Sequence, residues 1–386
     1  MTWIRQCTLL LSLSLSTLNQ RLLSSLTIVM ALACVTAVLT SMLSITAGIT
    51  REYHNSADPL RAVVLPKRET YEDGGGIEPS KVGTIVDAPG IARAANGKEM
   101  ADPEVLLHVP SAQGAASGGS LTIRGIGAAG LLMRPQLRLV SGRPFVPGRE
   151  ELIMGTDAQR GFRLKLGDGV IMRNGAWPIV GTFFAPGVLG SELIGDANTI
   201  ATMARRKGFG SVQVTLQGAE KFAAFSSWLK TNPALAVSAE TQEQYYSKIA
   251  AGSSRYFTEI AYLVSALMSI GALFGTVNIL YGVATSRTRE LATLRAIGYQ
   301  ELPVALSVMF EAVLLALVGA GLGDVAAWLL FNGHEVAKYE VVYQLFVSPQ
   351  LLLSGAGLAA VLAILGSVLP ATRAARMRVA EALRAL

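Results

Sequence analysis

The sequence predicts an integral membrane protein with four transmembrane α-helices and an α+β extracytoplasmic domain between the first and second helices. Of its 386 residues, 51% are hydrophobic and only 16% are charged. Four long stretches contain almost no charge, whereas the segment from Arg51 to Arg255 is mixed, polar and rich in Gly and Pro. Such asymmetry is typical of membrane helices joined to a soluble domain.

The first apolar stretch, Leu22 to Thr50, contains no charged residue and can cross a hydrocarbon core of roughly 30 Å. The apolar core of a cleaved signal peptide is only about 7–15 residues long, so we interpret residues 22–50 as an uncleaved transmembrane helix 1. Residues 1–21 are predicted to form a cytoplasmic amphipathic segment on the membrane surface. The alternative is that they extend the first span.

Three further apolar stretches predict transmembrane helices 2, 3 and 4 at 257–286, 301–331 and 347–371. Beyond its first residue, transmembrane helix 3 is interrupted by two acidic residues, Glu311 and Asp324. The segments between them are then a cytoplasmic loop at 287–300, a short periplasmic loop at 332–346 and a cytoplasmic tail at 372–386.

Positive charges beside the spans predict the orientation of the chain. Lys338 is the only Lys or Arg in the loop between the third and fourth spans. The N-terminal flank, the loop after the second span and the tail contain many more: Arg5, Arg21, Arg287, Arg289, Arg295, Arg373, Arg376, Arg378 and Arg384. We therefore expect both termini in the cytoplasm and the 51–256 domain on the other side.

Short apolar runs separated by Gly and Pro predict strands in this external domain. The runs are Arg61–Leu65, Val82–Val86, Val105–Val109, Ser120–Arg124, Leu152–Met154 and Trp177–Phe183. Ala219–Lys230 predicts a helix that ends before Pro233, and Thr241–Arg255 predicts a helix that continues into the second span. The two cysteines, Cys7 and Cys34, lie outside the domain, so it contains no disulfide.

A glycine pattern in the external domain invites comparison with a dinucleotide site. Gly125, Gly127 and Gly130 follow a predicted strand, but Pro135 comes too soon for the long helix that such a site requires. We interpret the pattern as a glycine-rich turn. Gly97-Lys98 is not a phosphate-binding loop, because Glu99 stands where such a loop has Ser or Thr.

The sequence also gives little support for a metal site, a serine hydrolase or a nucleic-acid-binding surface. The three histidines are scattered, without the spacing of a metal site, and no GxSxG motif surrounds a serine. The net charge of +6 comes from basic residues beside the spans rather than from a nucleic-acid-binding patch. We expect no catalytic residue, metal or cofactor in this chain and no nucleic-acid partner.

Several residues inside the spans are candidates for contacts between helices. Gly271 and Gly275 in the second span, and Gly319 and Gly323 in the third, have the GxxxG spacing that allows close helix approach. Burying Glu311 at mid-membrane costs roughly 2.5–3.5 kcal/mol, so it is predicted at a helix interface. It is either a contact that changes as helices move or a static pair.

The loop from Ser286 to Gly298 reads SRTRELATLRAIG and predicts a short helix that stops at Gly298. Its apolar residues, Leu291, Leu294 and Ile297, lie along one edge. The helix is either a connector at the membrane surface or a contact for a soluble partner.

This segment resembles the RxREIATLRAIG signature of the MacB-like/FtsX-like ABC transporter permeases, the mechanotransmission class. Leu291 and Tyr299 depart from it, since Ile and Phe are more usual there. The membrane part of the chain also resembles the family at Gly271–Asn278, Glu311, Gly319–Gly323 and the Pro370–Arg384 tail. The external domain resembles it at Ser141–Phe145, Glu151–Gly155, Leu166–Asp168 and Trp177–Gly181.

The resemblance implies a permease subunit of the bacterial inner membrane, forming a homodimer docked to a separate cytoplasmic ATPase that binds ATP and Mg²⁺. The ATPase-coupling residues would be Arg287, Thr288, Arg289, Glu290, Leu291, Leu294, Arg295, Ile297 and Gly298. The helix-packing residues would be Gly271, Gly275, Asn278, Glu311, Gly319 and Gly323. Movement of the coupling helix would pass through the first two spans to a MacB-like periplasmic core domain at 51–256, for export or extraction of cargo.

Two alternatives remain open. Some FtsX-like relatives do not transport but control a periplasmic partner such as a cell-wall hydrolase. Export would involve a periplasmic membrane-fusion adaptor and an outer-membrane channel, and signalling would involve the hydrolase. A membrane-anchored periplasmic enzyme without an ATPase would need no specific cytoplasmic loop.

Overall fold

The structure, a computed structural model, describes residues 22–74, 76–110, 120–286, 293, 296, 300–338 and 341–376. The chain divides into two compact units. One, which we call the membrane unit, comprises Met1–Ala47, Arg255–His334 and Leu345–Leu386. The other, the external unit, comprises Gly48–Ser254 and Glu335–Gln344.

Four helices in the described part of the chain are long and apolar enough to span a membrane. They are α1 (Leu22–Ser56), α7 (Gln242–Ser286), α8 (Glu301–Phe331) and α9 (Pro349–Ala375). The prediction of four transmembrane helices is confirmed. All four exceed the roughly 20 residues that a bilayer requires, and α1 and α7 do so most, because α1 continues to Ser56 and α7 begins at Gln242.

Small side chains form the core of the membrane unit. Ala312, Ala316 and Ala320 of α8 are fully buried with Leu32 of α1 and Ala363 of α9. In contrast, large apolar side chains elsewhere on these helices point outward, including Leu263, Phe274, Leu329 and Leu353. This outward apolar surface is what lipid contact requires, since lipid chains are as apolar as the side chains themselves.

One mixed sheet forms the centre of the external unit. Its strands are β1 (Arg61–Pro66), β2 (Ala101–Pro110), β3 (Ser120–Ile126), β4 (Arg138–Gly142), β5 (Leu152–Gly155), β6 (Gly169–Met172), β7 (Gly175–Phe184), β8 (Leu193–Asp196), β9 (Ser211–Thr215) and β10 (Val237–Thr241). The order is β10-β1-β9-β2-β3-β8-β5-β7-β4, and β6 pairs with β7. The pairs β3–β8 and β5–β7 are parallel and the others antiparallel.

Short helices pack on this sheet: α2 (Pro79–Val86), α3 (Ala128–Leu132), α4 (Thr156–Phe162), α5 (Ala197–Met203) and α6 (Phe222–Thr231). One core surrounds Trp177 and Phe162, and a second surrounds Phe225 and Ile85. Helices and strands together confirm an α+β domain between the first and second membrane helices.

Two local predictions are corrected. The Val82–Val86 run was expected to be a strand because Thr84, Ile85 and Val86 favour extended structure. It lies instead in α2, where Pro79 begins the helix and Ile85 is buried in the second core. The segment after α8, expected to be a loop, forms a hairpin of β11 (Glu335–Lys338) and β12 (Val341–Gln344). The alternation there is too short for the sequence to indicate strands.

Candidate functional site

The residues expected to contact an ATPase lie outside the described residues. These are Arg287, Thr288, Arg289, Glu290, Leu291, Leu294, Arg295, Ile297 and Gly298. The N-terminal segment 1–21 and the end of the tail, 377–386, also lie outside them. The roles given to these residues stay predictions.

Two glycines of α8 lie against the backbone of α1. A Cβ added at Gly319 would lie 2.6 Å from the carbonyl oxygen of Val29, closer than real Cβ atoms approach other atoms. A Cβ at Gly323 would meet the carbonyl oxygen of Ala33 and the hydroxyl of Thr36. Glycine at both positions therefore allows the two helices to make direct backbone contact.

The predicted helix-packing residues of α7, namely Gly271, Gly275 and Asn278, do not lie against another described helix in this way. No described atom outside their own helix lies within 4 Å of a Cβ built at Gly271 or Gly275. Gly271 and Asn278 are exposed, and Gly275 is half-buried. The structure does not bring these three residues into a contact between helices of one chain. Packing against a second copy of the chain stays a prediction.

Beyond Glu301 in its first turn, α8 contains two acidic residues. Glu311 is half-buried. Both predictions for it, a contact that changes as helices move and a static pair, stay predictions. Asp324 is more deeply buried, at 6% exposure.

Asp324 forms a polar contact among three helices. The hydroxyl of Thr40 in α1 donates a hydrogen bond of 2.7 Å to its Oδ1 atom. On the other side, a Cβ at Gly355 of α9 would lie 3.0 Å from the same oxygen. The sequence showed Asp324 only as an interruption in an apolar run. An intramembrane carboxylate is itself a signal of a specific contact, but the identity of its partners requires the fold.

A cluster of buried charges lies inside the external unit, centred on Arg124 of β3. Its guanidinium donates to Glu192 at 2.6 and 2.9 Å, to Glu104 at 2.7 Å and to Glu72 at 3.1 Å. Arg134 donates to the second oxygen of Glu104 at 2.6 Å. All five residues are 5% exposed or less. Buried ion pairs therefore connect strands β2 and β3 to the segment just before β8.

Burial and ion pairing shift the pKa values of Glu104 and Arg124 in opposite directions. Burial alone would raise the pKa of Glu104, but Arg134 and Arg124 outweigh it and hold the pKa below its usual range. Burial alone would lower the pKa of Arg124, but Glu192 and Glu72 raise it well above its usual value. Glu104 and Arg124 therefore stay ionised.

Glu72 connects the cluster to α7. Its carboxylate accepts hydrogen bonds from Ser211 at 2.8 Å and from Gln213 at 2.6 Å, and its backbone N–H donates to the hydroxyl of Tyr245 at 3.1 Å. A cavity of about 390 Å³ opens beside these groups, lined in part by Tyr53, Tyr245 and Tyr246. With every carboxylate already hydrogen-bonded, the arrangement is suited to holding the first turns of α7 to the sheet.

The glycine-rich turn surrounds an internal carboxylate instead of a phosphate. The backbone N–H of Gly127 donates to Asp102 at 2.8 Å, and Asp102 is 2% exposed. A Cβ at Gly127 would lie 2.6 Å from its Oδ1. The following helix, α3, has only five residues, which agrees with a turn. Burial, followed by the nearby charge of Glu104, raises the pKa of Asp102 to about 7.

No group of three or more His, Cys, Asp or Glu side chains that could hold a metal occurs among the described residues. Sequence reasoning missed the Arg124 cluster altogether. Its one visible signal was the presence of Arg124 and Glu104 within or beside runs interpreted as strands, where unpaired charges are costly.

Two solved structures are similar to part of the chain. One is the periplasmic region of MacB from Actinobacillus actinomycetemcomitans, with 13% identity, a TM-score of 0.37 and coverage of 49% of this chain and 92% of that one. The other is the extracellular domain of the transporter YknZ from Gram-positive bacteria, with 14% identity, a TM-score of 0.35 and coverage of 47% and 99%.

Sequence comparison gives a family for the membrane part. Residues 262–379 match the family described as FtsX-like permease C-terminal. The macrolide export ATP-binding/permease protein MacB of Shewanella oneidensis is 31% identical over 124 residues, 31% of this chain and 19% of that protein. The MacB protein of Chromobacterium violaceum is 26% identical over 136 residues, 35% and 21% of the two chains. The matches thus span about a fifth of these relatives. The chain is therefore similar to the FtsX-like permease C-terminal family over residues 262–379, and to MacB proteins over about a third of its own length.

Proposed function

We propose that the chain is the permease subunit of an ABC transporter and couples ATP hydrolysis by a separate cytoplasmic ATPase to movement of the external unit. The movement exports or extracts cargo from the outer side of the membrane. Both termini and the 287–300 loop lie in the cytoplasm, and the 51–256 domain lies outside. Two copies of the chain form the membrane assembly, each contacting one ATPase.

The observation that carries the proposal is the continuity of α7. This helix of 45 residues begins at Gln242 in the external unit, passes through the apolar span and ends at Ser286, directly before the Arg287–Gly298 segment. Sharp bends in helices occur at Pro, Gly/Ser pairs or inserted groups. α7 contains no Pro, and its Gly252–Ser254 stretch keeps helical backbone. A displacement at its cytoplasmic end therefore has a direct route to its first turns.

Contacts at the outer end of α7 support the same role. Tyr245 is fully buried and accepts the hydrogen bond from Glu72, which is itself hydrogen-bonded to Arg124. Lys248 binds Glu240 of β10 at 2.8 and 3.0 Å. These bonds would make the sheet move with the helix rather than slide past it.

The composition of the spans also favours force transmission over a pore. In the membrane unit, the described helices bury mainly Ala, Leu, Val and Ile against one another. The backbone contact of Gly319 and Gly323 with α1 gives a closely packed pair of helices. A hydrophilic cargo path needs polar lining, and the buried polar side chains described in the membrane unit are, apart from Asp324, Ser and Thr hydroxyls.

Charge reversal in the predicted coupling segment tests the proposal. We would co-express the chain with a cytoplasmic ABC ATPase from the same genome and compare wild type with the triple variant Arg287→Glu, Arg289→Glu and Glu290→Arg. The expected result is loss of ATPase co-purification, or at least about a tenfold drop in cargo export, with normal membrane insertion. Unchanged binding and export would contradict the coupling role.

A matched control reverses charge without touching that segment. Arg93 and Glu99 form an exposed pair at 2.9 Å in the external unit. The variant Arg93→Glu with Glu99→Arg keeps the net charge and should bind the ATPase as the wild type does. Loss of binding in both variants would show a general effect of altered charge.

A further inference from the structure

The strand β10 forms one end of the large sheet. It pairs with β1 on one side, from Pro66↔Val237 to Ala62↔Thr241. No described strand pairs with its other side. An edge strand presents backbone N–H and C=O groups in a row, and these can pair with an added strand.

A groove of about 730 Å³ adjoins the start of this strand. Four of its lining residues are basic: Lys67 and Arg68 after β1, Lys81 in α2 and Lys230 in α6. None of the described lining residues is acidic, so the groove carries four positive charges without a compensating carboxylate in its wall. The potential inside it favours a negatively charged ligand.

Glu69 is exposed directly after Arg68, whereas two other acidic residues near the groove are already engaged or weakly placed. Glu78 lies 3.9 Å from Lys81, a long distance for an ion pair, and its side chain is 61% exposed. Glu240, on the edge strand itself, binds Lys248 at 2.8 and 3.0 Å. The acidic side chain on β10 therefore has a cation of its own, and the charges of Lys67, Arg68 and Lys230 remain available to a ligand.

The floor of the groove is apolar and held in place. Leu229, Leu235 and Val237 line it and are all buried in the second core of the external unit. The backbone N–H of Lys67 donates to the carbonyl oxygen of Ala236 at 2.8 Å, which fixes the basic turn beside the beginning of β10. The site thus combines exposed cations with a strand edge that no described strand covers and whose last N–H, at Thr241, donates to the Gln244 side chain at 3.3 Å.

We propose that this groove binds an extended acidic segment of a partner protein, which pairs with β10 as an added strand. Backbone pairing favours a peptide over a lipid headgroup, because a peptide supplies donors and acceptors at the spacing of the strand edge. The basic residues neutralise its carboxylates. The proposal goes beyond the coupling function and does not depend on an ATPase.

Fluorescence anisotropy with the full chain in detergent micelles tests this site. The probe is a labelled eight-residue peptide of alternating Glu and Val, compared with one of alternating Lys and Val. We expect saturable binding of the acidic peptide only. Full N-methylation of its backbone should abolish binding, because strand pairing needs the N–H groups. Equal binding of the methylated peptide would overturn the strand-pairing model.

Paired variants locate the site. Lys67→Gln, Arg68→Gln and Lys230→Gln remove three exposed cations and should weaken binding by about tenfold, the size expected when several exposed charge contacts are lost together. The control, Lys98→Gln, Lys165→Gln and Arg173→Gln, removes three exposed cations elsewhere in the external unit and should change affinity by less than about twofold. Equal effects of both variants would overturn the assignment of the groove.

A competition experiment with an anionic lipid tests whether the groove binds lipid phosphate instead of a peptide. Phosphatidylglycerol dispersed in the micelles should displace the bound acidic peptide only weakly. If instead it displaces the peptide at equal charge concentration, and the groove variant no longer responds to it, the groove recognises lipid phosphate and the protein-partner proposal is overturned.

Discussion

The hydroxyl of Thr40 donates a 2.7 Å hydrogen bond to the carboxylate of Asp324, and this bond joins α1 to α8 inside the membrane unit. Gly355 of α9 leaves room for the same carboxylate, since a Cβ there would lie 3.0 Å from its oxygen. Polar contacts of this kind hold membrane helices in one register, because apolar packing alone has little preference for one rotation of a helix over another.

Replacing Thr40 should therefore destabilise the membrane unit. In Thr40→Val the carboxylate keeps its burial but loses its donor, and we expect a loss of about 0.5–2 kcal/mol in the free energy of unfolding. Thr40→Ser retains the hydroxyl and should differ from wild type by less than half of that. Unfolding by graded denaturing detergent measures both. Equal stability of the Val and Ser variants would contradict the role of the bond.

Bulk at Gly323 should separate α8 from α1. A side chain there would overlap the Ala33 carbonyl and the Thr36 hydroxyl, so Gly323→Val should cost about 2–4 kcal/mol through overpacking. Gly321 provides a control in the same helix, because no described atom outside that helix lies within 4 Å of a Cβ there. Thermal unfolding in detergent should distinguish Gly323→Val from Gly321→Val. A comparable loss in both would point to valine itself rather than to the contact.

Loss of the Arg124 side chain should be the most damaging change in the external unit. Arg124→Met leaves Glu192, Glu72 and half of Glu104 without their cation in a buried site, which typically costs about 3–5 kcal/mol. Arg143→Met removes an equally short ion pair, to Glu151 at 2.7 Å, but the Arg143 side chain is 49% exposed. That variant should lose far less stability, because solvent screens an exposed ion pair. Matching melting temperatures for the two variants would contradict the importance of burial.

Protonation of Asp102 should make stability depend on pH between about 4 and 7. Its folded pKa is about 7, raised by burial, and its unfolded value is near 3.8. The folded state therefore holds a proton that the unfolded state has released over this range, so stability falls as pH rises, by about 2–4 kcal/mol in total. Asp102→Asn cannot ionise and should gain stability relative to wild type between pH 5 and pH 8. Parallel melting temperatures across that range would contradict the shifted pKa.

The membrane helices were predictable because they depend on composition. A charge-free run such as Leu22–Thr50 has few alternatives to spanning the bilayer, whatever its neighbours are. Of the six predicted strand segments, five lie in strands, from Arg61–Leu65 to Trp177–Phe183. Val82–Val86 was wrong because its local propensity was outweighed by the burial of Ile85 against Phe225 on a helix face.

The long-range contacts could not be read from the sequence. Asp324 and Thr40 are 284 residues apart, and Arg124 meets Glu192 and Glu72 only after the sheet has brought β3 next to β8. The glycines show the same limit. Gly271–Gly275 and Gly319–Gly323 have one spacing, but only the second pair faces another helix of the described chain. Spacing places residues on one face of a helix, whereas the identity of the opposing surface comes from the tertiary fold.

The account depends most directly on the Arg287–Gly298 segment and the external unit lying on opposite sides of the membrane. Single cysteines at Arg289 and Lys98, in a chain with Cys7 and Cys34 replaced by serine, can be labelled with a membrane-impermeant maleimide in spheroplasts. We predict that Lys98→Cys reacts in intact spheroplasts and that Arg289→Cys reacts only after lysis. Reaction of both cysteines from the same side would contradict the transmission of force across the bilayer.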